Sequence, residues 1–251
     1  MTSQSSPIIL GVIPARYGST RFPGKPLALL AGKPMIQHVV ERARRAGSLD
    51  RVVVATDDQR IAQAVEAFGG EVVLTGDHPT GTDRIAEAAR LVERSTPVGM
   101  VVNVQGDEPL LDPADLDRLT AGLAADPQAH MATLVYPLKD EEEFHDPNVV
   151  KVTLDARGRA LYFSRAPIPF PRGEGTLGWR HLGVYAFRRN FLAEFARMAP
   201  TPLAQRESLE QLRALENGHA IQCIQAGSFS IGVDTPGDLA KAETLLSGRK
   251  G

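Results

Sequence analysis

Three cations and two glycines crowd the stretch Pro14-Ala15-Arg16-Tyr17-Gly18-Ser19-Thr20-Arg21-Phe22-Pro23-Gly24-Lys25-Pro26. Gly18 and Gly24 let a backbone come close to a ligand, and Arg16, Arg21 and Lys25 can neutralise phosphates. The stretch is neither the dinucleotide pattern G-x-G-x-x-G nor the P-loop G-x-x-x-x-G-K-[ST]. A solvated basic loop with turn glycines is the plain alternative. The density of charge directly after the apolar run Ile8–Ile13 favours a triphosphate site.

Two further segments carry carboxylates. In Asn103-Val104-Gln105-Gly106-Asp107-Glu108-Pro109, Asp107 follows another apolar run. A carboxylate there suits a hard cation such as magnesium, which takes oxygen ligands and keeps substrate phosphates in its shell. Turn formation is the competing use of Asp107, and Glu108 fits either role. In Gly232-Val233-Asp234-Thr235-Pro236-Gly237-Asp238, helix-start chemistry accounts for most of the polar residues. Thr235 can cap, Pro236 suits the first helical position, and Asp238 completes a capping-box-like spacing. Asp234 is left over, and with Asp107 it could share one metal.

These residues need a scaffold that gathers strand ends. Ile8–Ile13, Arg51–Thr56, Glu71–Thr75 and Val98–Val104 read as short, buried strands. Between them, Met35/Ile36/Val39/Val40/Ala43, Ile61/Ala62/Val65/Phe68 and Ile85/Ala86/Ala89/Val92 recur at helical spacing, the last group entered through Thr82 as a cap. Strands alternating with helices predict an α/β fold: a Rossmann-like three-layer domain with a mostly parallel sheet and right-handed crossovers. Ligands of such sheets bind beyond the carboxyl ends of the strands, where the three motifs fall.

From about residue 131 the pattern changes. Ala132–Leu138, Val149–Leu154, Ala160–Phe163 and His181–Phe187 predict strands with short connections, hence a smaller antiparallel β subdomain inserted in the main fold. Helices are expected around Phe191–Met198 and Arg206–Glu216, then a strand Ala220–Gln225 and a helix Pro236–Leu246. The Pro/Gly-rich piece from Pro167 to Gly178 reads as an exposed, mobile loop.

The 251 residues, 43% hydrophobic and 23% charged, suffice for a sizeable core. A net charge of −2 argues against a nucleic-acid or anionic-membrane binder. Cys223, alone, permits neither an internal disulfide nor a thiolate metal site and reads as a buried thiol. The start of the chain lacks a signal peptide's basic residues, and no apolar run has bilayer-spanning length, so a cytoplasmic location without membrane contact is expected.

Taken together, the three motifs, with Tyr162-Phe163-Ser164-Arg165 and His181-Leu182-Gly183, resemble those of the 3-deoxy-manno-octulosonate cytidylyltransferase family, in the expected order over residues 8 to about 245. The resemblance implies the nucleotide-diphospho-sugar transferase fold over 1–251, with about 131–188 holding the smaller sheet and the contacts of a homodimer. It implies activation of 3-deoxy-D-manno-octulosonate (KDO) by CTP for lipopolysaccharide biosynthesis, with Mg2+ on Asp107 and Asp234. Arg16 and Lys25 would hold the CTP phosphates. Pro14, Ala15 and the turn Thr80-Gly81-Thr82-Asp83-Arg84 would read cytosine, and Gly18, Ser19, Arg21, Gln105 and Asp107 complete the nucleotide set. Arg165, His181, Glu210 and Gln211 would bind the sugar, with Gln105 and Tyr185 close by. The loop from Pro169 to Trp179 is shorter than in some family members.

No side chain among these motifs pairs as a covalent nucleophile with a base. The reaction expected is in-line attack of the sugar's anomeric hydroxyl on the α-phosphorus of CTP, run by positioning and charge stabilisation. A same-fold transferase for 8-amino-KDO or sialic acid is the near alternative. A nicotinamide enzyme is disfavoured by the missing glycine fingerprint, and a non-catalytic nucleotide-binding module by the two retained carboxylates.

Overall fold

The computed structural model describes residues 6–18, 22–173 and 175–248. The chain divides into two compact units, Met1–Asp117 with Phe229–Gly251, and Arg118–Ser228.

The first unit is built on four parallel strands. β1 (Ile8–Pro14) lies between β4 (Arg51–Thr56) and β6 (Val98–Asn103), and β5 (Val72–Leu74) pairs with β4. Consecutive residues of a strand point to opposite faces. Leu10, Val12 and Ile13 are nonetheless all fully buried, as are Val53, Val54 and Ala55. Both faces are therefore covered, as the unbroken apolar runs require. The covering helices are α1 (Met35–Ala43), α2 (Gln59–Ala67) and α3 (Gly81–Val92). A two-residue hairpin, β2 (Leu29–Leu30) with β3 (Lys33–Pro34), precedes α1.

The cap of α3 differs from the expectation. Thr80, not Thr82, is the N-cap: its hydroxyl accepts from Asp83 N–H at 3.1 Å, while Thr82 lies inside the helix and is buried. An extended backbone at Thr80 frees its side chain for that bond.

The C-terminal helix α9 (Pro236–Gly248) belongs to this unit. Ala242 and Val233 join Leu30, Met35 and Leu110 in a buried cluster, with Phe22, Leu239 and Leu246 packed against it. Asp238 Oδ2 accepts from Thr235 N–H (3.0 Å) and Asp234 N–H (3.2 Å), while Thr235 Oγ1 accepts from Asp238 N–H (3.2 Å). That reciprocal pair is the expected capping box.

Helix α4 (Pro113–Ala125), which the sequence reading did not pick out, runs across the chain position where the second unit begins. The second unit pairs β7 (Ala129–Leu138) antiparallel with β10 (Gly178–Arg188) and parallel with β11 (Ala220–Gln225). β8 (Lys151–Leu154) pairs antiparallel with β10 and with β9 (Ala160–Ser164). Short helices α5 (Glu141–His145) and α6 (Arg189–Phe195) accompany this sheet. The helix expected over Arg206–Glu216 is two, α7 (Pro202–Glu207) and α8 (Leu212–Glu216). Ser208 breaks it by taking a left-handed φ of 52°. Glu210 and Gln211 thus lie on a turn rather than along a helix. Among the described residues, no helix is long and apolar enough to cross a membrane.

Candidate functional site

The carboxyl ends of β1 and β6 meet at one side of the first unit. Ala15 N–H continues the ladder to Ala55 O (2.9 Å) and Val104 N–H to Val12 O (3.0 Å), so the residues just beyond are fixed by main chain. The approach is close: a Cβ built on Gly106 would stand 2.8 Å from Pro14 O, which only glycine avoids.

The loop after β1 closes on itself through Gly24 N–H to Tyr17 O at 3.0 Å. Gly24 has a φ of +71°, and a Cβ there would press on the Tyr17 ring at 3.2 Å. The Arg60 guanidinium stacks over the Tyr17 ring, 3.4 Å from its centroid. A 3-10 turn, Lys25–Leu27, follows at once. Lys25 Nζ then donates to Asp107 Oδ2 at 2.8 Å and to Asp234 Oδ1 at 3.1 Å. Val233 N–H, bonded to Asp107 O at 2.8 Å, brings the second carboxylate to the first.

A cavity of about 360 Å³ opens here, lined by Pro14, Ala15, Arg16, Lys25 and Pro26 together with Gln105, Gly106, Asp107 and Asp234. His78, Pro79, Thr80, Gly81 and Arg84 supply the remaining wall. Gly18 lines a neighbouring cavity that shares Arg16, His78 and Arg84. Ser19 and Arg21 lie outside the described residues. Arg84 is already engaged: its guanidinium, 4% exposed, meets Asp57 Oδ1 at 2.9 Å and Thr75 Oγ1 at 2.8 Å. It stiffens the wall as well as charging it.

Two carboxylates that hold one ammonium between them form an oxygen-rich, anionic pair able to take a cation. Magnesium needs only one or two protein carboxylates when substrate phosphates complete its shell. The donor set fits such an ion. No cluster of three or more metal-ligating side chains is found among the described residues.

Of the residues expected on the sugar, Gln105 is in the first unit and the other five are in the second. His181 Nε2 is 3.0 Å from Thr133 Oγ1, and its ring packs against Phe163 and Tyr185, with centroids 5.1 and 5.4 Å away. Although part of the residue stays accessible, burial of the imidazole pushes its pKa down to about 3. Burial, and then the Glu210 charge, raise the Tyr185 hydroxyl well above its ordinary value. Glu210 contacts Arg213 at 3.3 Å. Gln211 is 3% exposed, and its Nε2 has no hydrogen-bond partner among the described residues.

Arg165 is held by main chain, donating from Nε to Glu207 O (2.8 Å) and from Nη1 to Pro147 O (2.9 Å). Glu207, absent from the sequence reading, gathers this corner: it accepts from Ser164 Oγ (2.6 Å), Arg165 N–H (2.9 Å) and Tyr162 Oη (3.2 Å). Burial would raise its carboxyl, but these bonds outweigh burial and hold it below the usual range. Lys151, fully buried, places its ammonium on the carbonyls of Val149, Arg165 and Asp146. His78 and Glu87 were also missed. The segment expected to be a Thr80–Arg84 turn is the N-cap and first turn of α3; His78 stands just before that cap, and Glu87 reaches back to it from the same helix.

Comparison with known proteins gives a consistent result. Residues 10–221 match the family model described as Cytidylyltransferase. The chain is 53% identical over 251 residues to the 3-deoxy-manno-octulosonate cytidylyltransferase of Syntrophotalea carbinolica, covering 96% of this chain and 99% of that one. It is 54% identical over 238 residues to the enzyme of the same name from Anaeromyxobacter dehalogenans, covering 94% and 96%. Among solved structures, CMP:2-keto-3-deoxy-manno-octonic acid synthetase complexed with CTP superposes with a TM-score of 0.91 at 43% identity, covering 96% of this chain and 99% of the other.

Proposed function

The chain belongs to the cytidylyltransferase family, and on that premise we propose that it transfers the CMP part of CTP to KDO, releasing diphosphate and serving lipopolysaccharide biosynthesis. The observation that carries the reading is the Lys25 ammonium shared by Asp107 and Asp234 in the lining of a cavity also walled by Pro14–Arg16.

Nothing in the cavity calls for a covalent intermediate. Cys223 lies outside it and is buried, its thiol pushed up to about 12 by burial, so no thiolate is on hand. The sugar hydroxyl attacks the α-phosphorus directly. A new P–O bond forms as the bond to the bridging oxygen breaks, diphosphate carries that electron pair away, and the hydroxyl proton passes to solvent. Arg16 and Lys25 bind the β- and γ-phosphates and offset the charge that grows on the leaving group. Asp107 and Asp234 would hold Mg2+, which when bound would supply positive charge to the reacting groups and lower the pKa of an attacking hydroxyl. Pro14, Ala15 and, from the start of α3, Thr80, Gly81 and Arg84 wall the base side of the cavity. His181, neutral because it is buried, acts on the sugar as a hydrogen-bonding group rather than a charge, alongside Tyr185, Glu210, Gln211 and Arg165.

The protein is placed in the cytoplasm, with its nucleotide substrate, and assembles as a homodimer through the second unit. Leu161 on β9 and Phe170 in the following loop, 62% and 81% exposed, support such a contact. A monomer in light scattering would rule the dimer out.

The deciding experiment measures diphosphate release from CTP and Mg2+ with and without KDO, beside sialic acid, 8-amino-KDO and the other nucleoside triphosphates. Release that requires CTP and KDO together supports the reading. Release with another sugar acid keeps the reaction and changes the substrate, and none with any pair rejects it.

A further inference from the structure

The segment joining β5 to α3 forms one wall of the nucleotide cavity, yet its main chain has little support of its own. Thr75 N–H reaches Thr56 O at 3.0 Å, but among the described residues Gly76, Asp77 and His78 make no backbone–backbone hydrogen bond. Side chains of α3 hold Gly76 and His78 instead. Glu87 Oε2 accepts from Gly76 N–H at 2.8 Å and from His78 Nε2 at 2.7 Å. Arg84, one turn earlier, fastens Thr75 Oγ1.

His78 lines the nucleotide cavity and also the neighbouring one beside Arg16, whereas Glu87 lines neither. Glu87 is about a quarter exposed, and the bond from His78, then that from Gly76, keep its carboxyl below the usual range. It is therefore charged at neutral pH and a strong acceptor for both groups. Nε2 faces the Glu87 carboxylate, which leaves Nδ1 as the ring nitrogen turned away from it. One carboxylate thus fixes the position and ring orientation of a residue in the wall.

We propose that Glu87 is a positioning residue for nucleotide selection, acting through His78 and the Gly76 amide on the wall that distinguishes one nucleoside triphosphate from another. The inference rests on the cytidylyltransferase reading of the cavity. It differs from a general stabilising role because its effect must fall on nucleotide affinity and choice.

The test compares wild type with Glu87→Ala, Glu87→Gln and His78→Ala. Rates are measured with CTP and UTP at saturating KDO, and binding of each nucleotide without KDO by calorimetry. Glu87→Ala is expected to raise KM for CTP at least tenfold, to leave kcat within about twofold, and to narrow the preference for CTP over UTP by a similar factor. Glu87→Gln keeps an acceptor oxygen without the charge and recovers part of the loss. His78→Ala reproduces the effect, and combining it with Glu87→Ala adds little, because the two share one link. A lower Tm with unchanged KM and unchanged CTP preference in Glu87→Ala, or in Glu87→Gln if the alanine variant does not fold, overturns the proposal. The calorimetry separates this failure from failure of the underlying function. A wild type that binds CTP without transferring it to KDO still reads out the role of Glu87, and one that binds no CTP overturns both.

Discussion

The main-chain amide of Val233 donates to the carbonyl oxygen of Asp107 at 2.8 Å. The next residue along, Asp234, thereby reaches the Lys25 ammonium that Asp107 also holds. The pairing rests on backbone, so changing either carboxylate leaves the other where it is.

Asp107→Asn and Asp234→Asn should therefore each lower kcat by roughly 10²–10³-fold, about 3–4 kcal/mol of transition-state stabilisation. The double variant should be little worse than the poorer single one, because both serve a shared cation. Diphosphate release measures all three. Losses that multiply would mean that the carboxylates do separate jobs.

Gly106→Ala sets a methyl group 2.8 Å from Pro14 O, a backbone atom that cannot swing away. The ends of β1 and β6 must part, at a cost of about 1–3 kcal/mol. A lowered urea midpoint together with a raised KM for CTP is expected. An unchanged midpoint would show that the two segments give way freely.

His181 titrates near 6.5 in an unfolded chain and about 3 in the fold. As pH falls through that window the unfolded state takes up a proton that the native state refuses. Stability attributable to His181 is complete above about pH 6.5 and declines below it, by up to about 1.4 kcal/mol per pH unit. Unfolding free energies of wild type minus His181→Asn should be flat above that point and slope below it. A flat difference down to about pH 4 would show an imidazole that titrates normally.

Cys223 is 6% exposed and its thiol is raised to about 12. Native protein should react with a thiol reagent orders of magnitude more slowly than unfolded protein, with full labelling in denaturant. Rapid labelling under native conditions would show that β11 opens readily.

What could be read in advance follows from which forces act locally. β1, β4 and β6 were legible because strands buried on both faces must be apolar throughout, and Asp107 because such a strand delivers ligand groups at its end. Asp234, expected at a strand end, lies instead in the irregular segment just before α9. It was legible only because the capping box there leaves its side chain over. Helix α4 was equally available: Leu116, Leu119 and Leu123 are all buried at helical spacing, behind Pro113 and an Asp112 side chain that accepts from Ala114 N–H at 3.0 Å. The break at Ser208 was not, since the Leu209/Leu212/Leu215 spacing suits one continuous helix. Lys151 was beyond reach for another reason. A lysine in a strand reads as exposed, and only the assembled fold shows three carbonyls converging on it. Glu87 beside Arg90 on α3 resembles an ordinary solvated i,i+3 pair until the preceding loop is in place.

The first unit is written in two pieces, and its second piece, Phe229–Gly251, carries Asp234. On the ribosome, the whole of Arg118–Ser228 is synthesised between Lys25 and the last acidic group it needs. A chain that stops short of Phe229 lacks one half of the carboxylate pair, however much of the parallel sheet it has made.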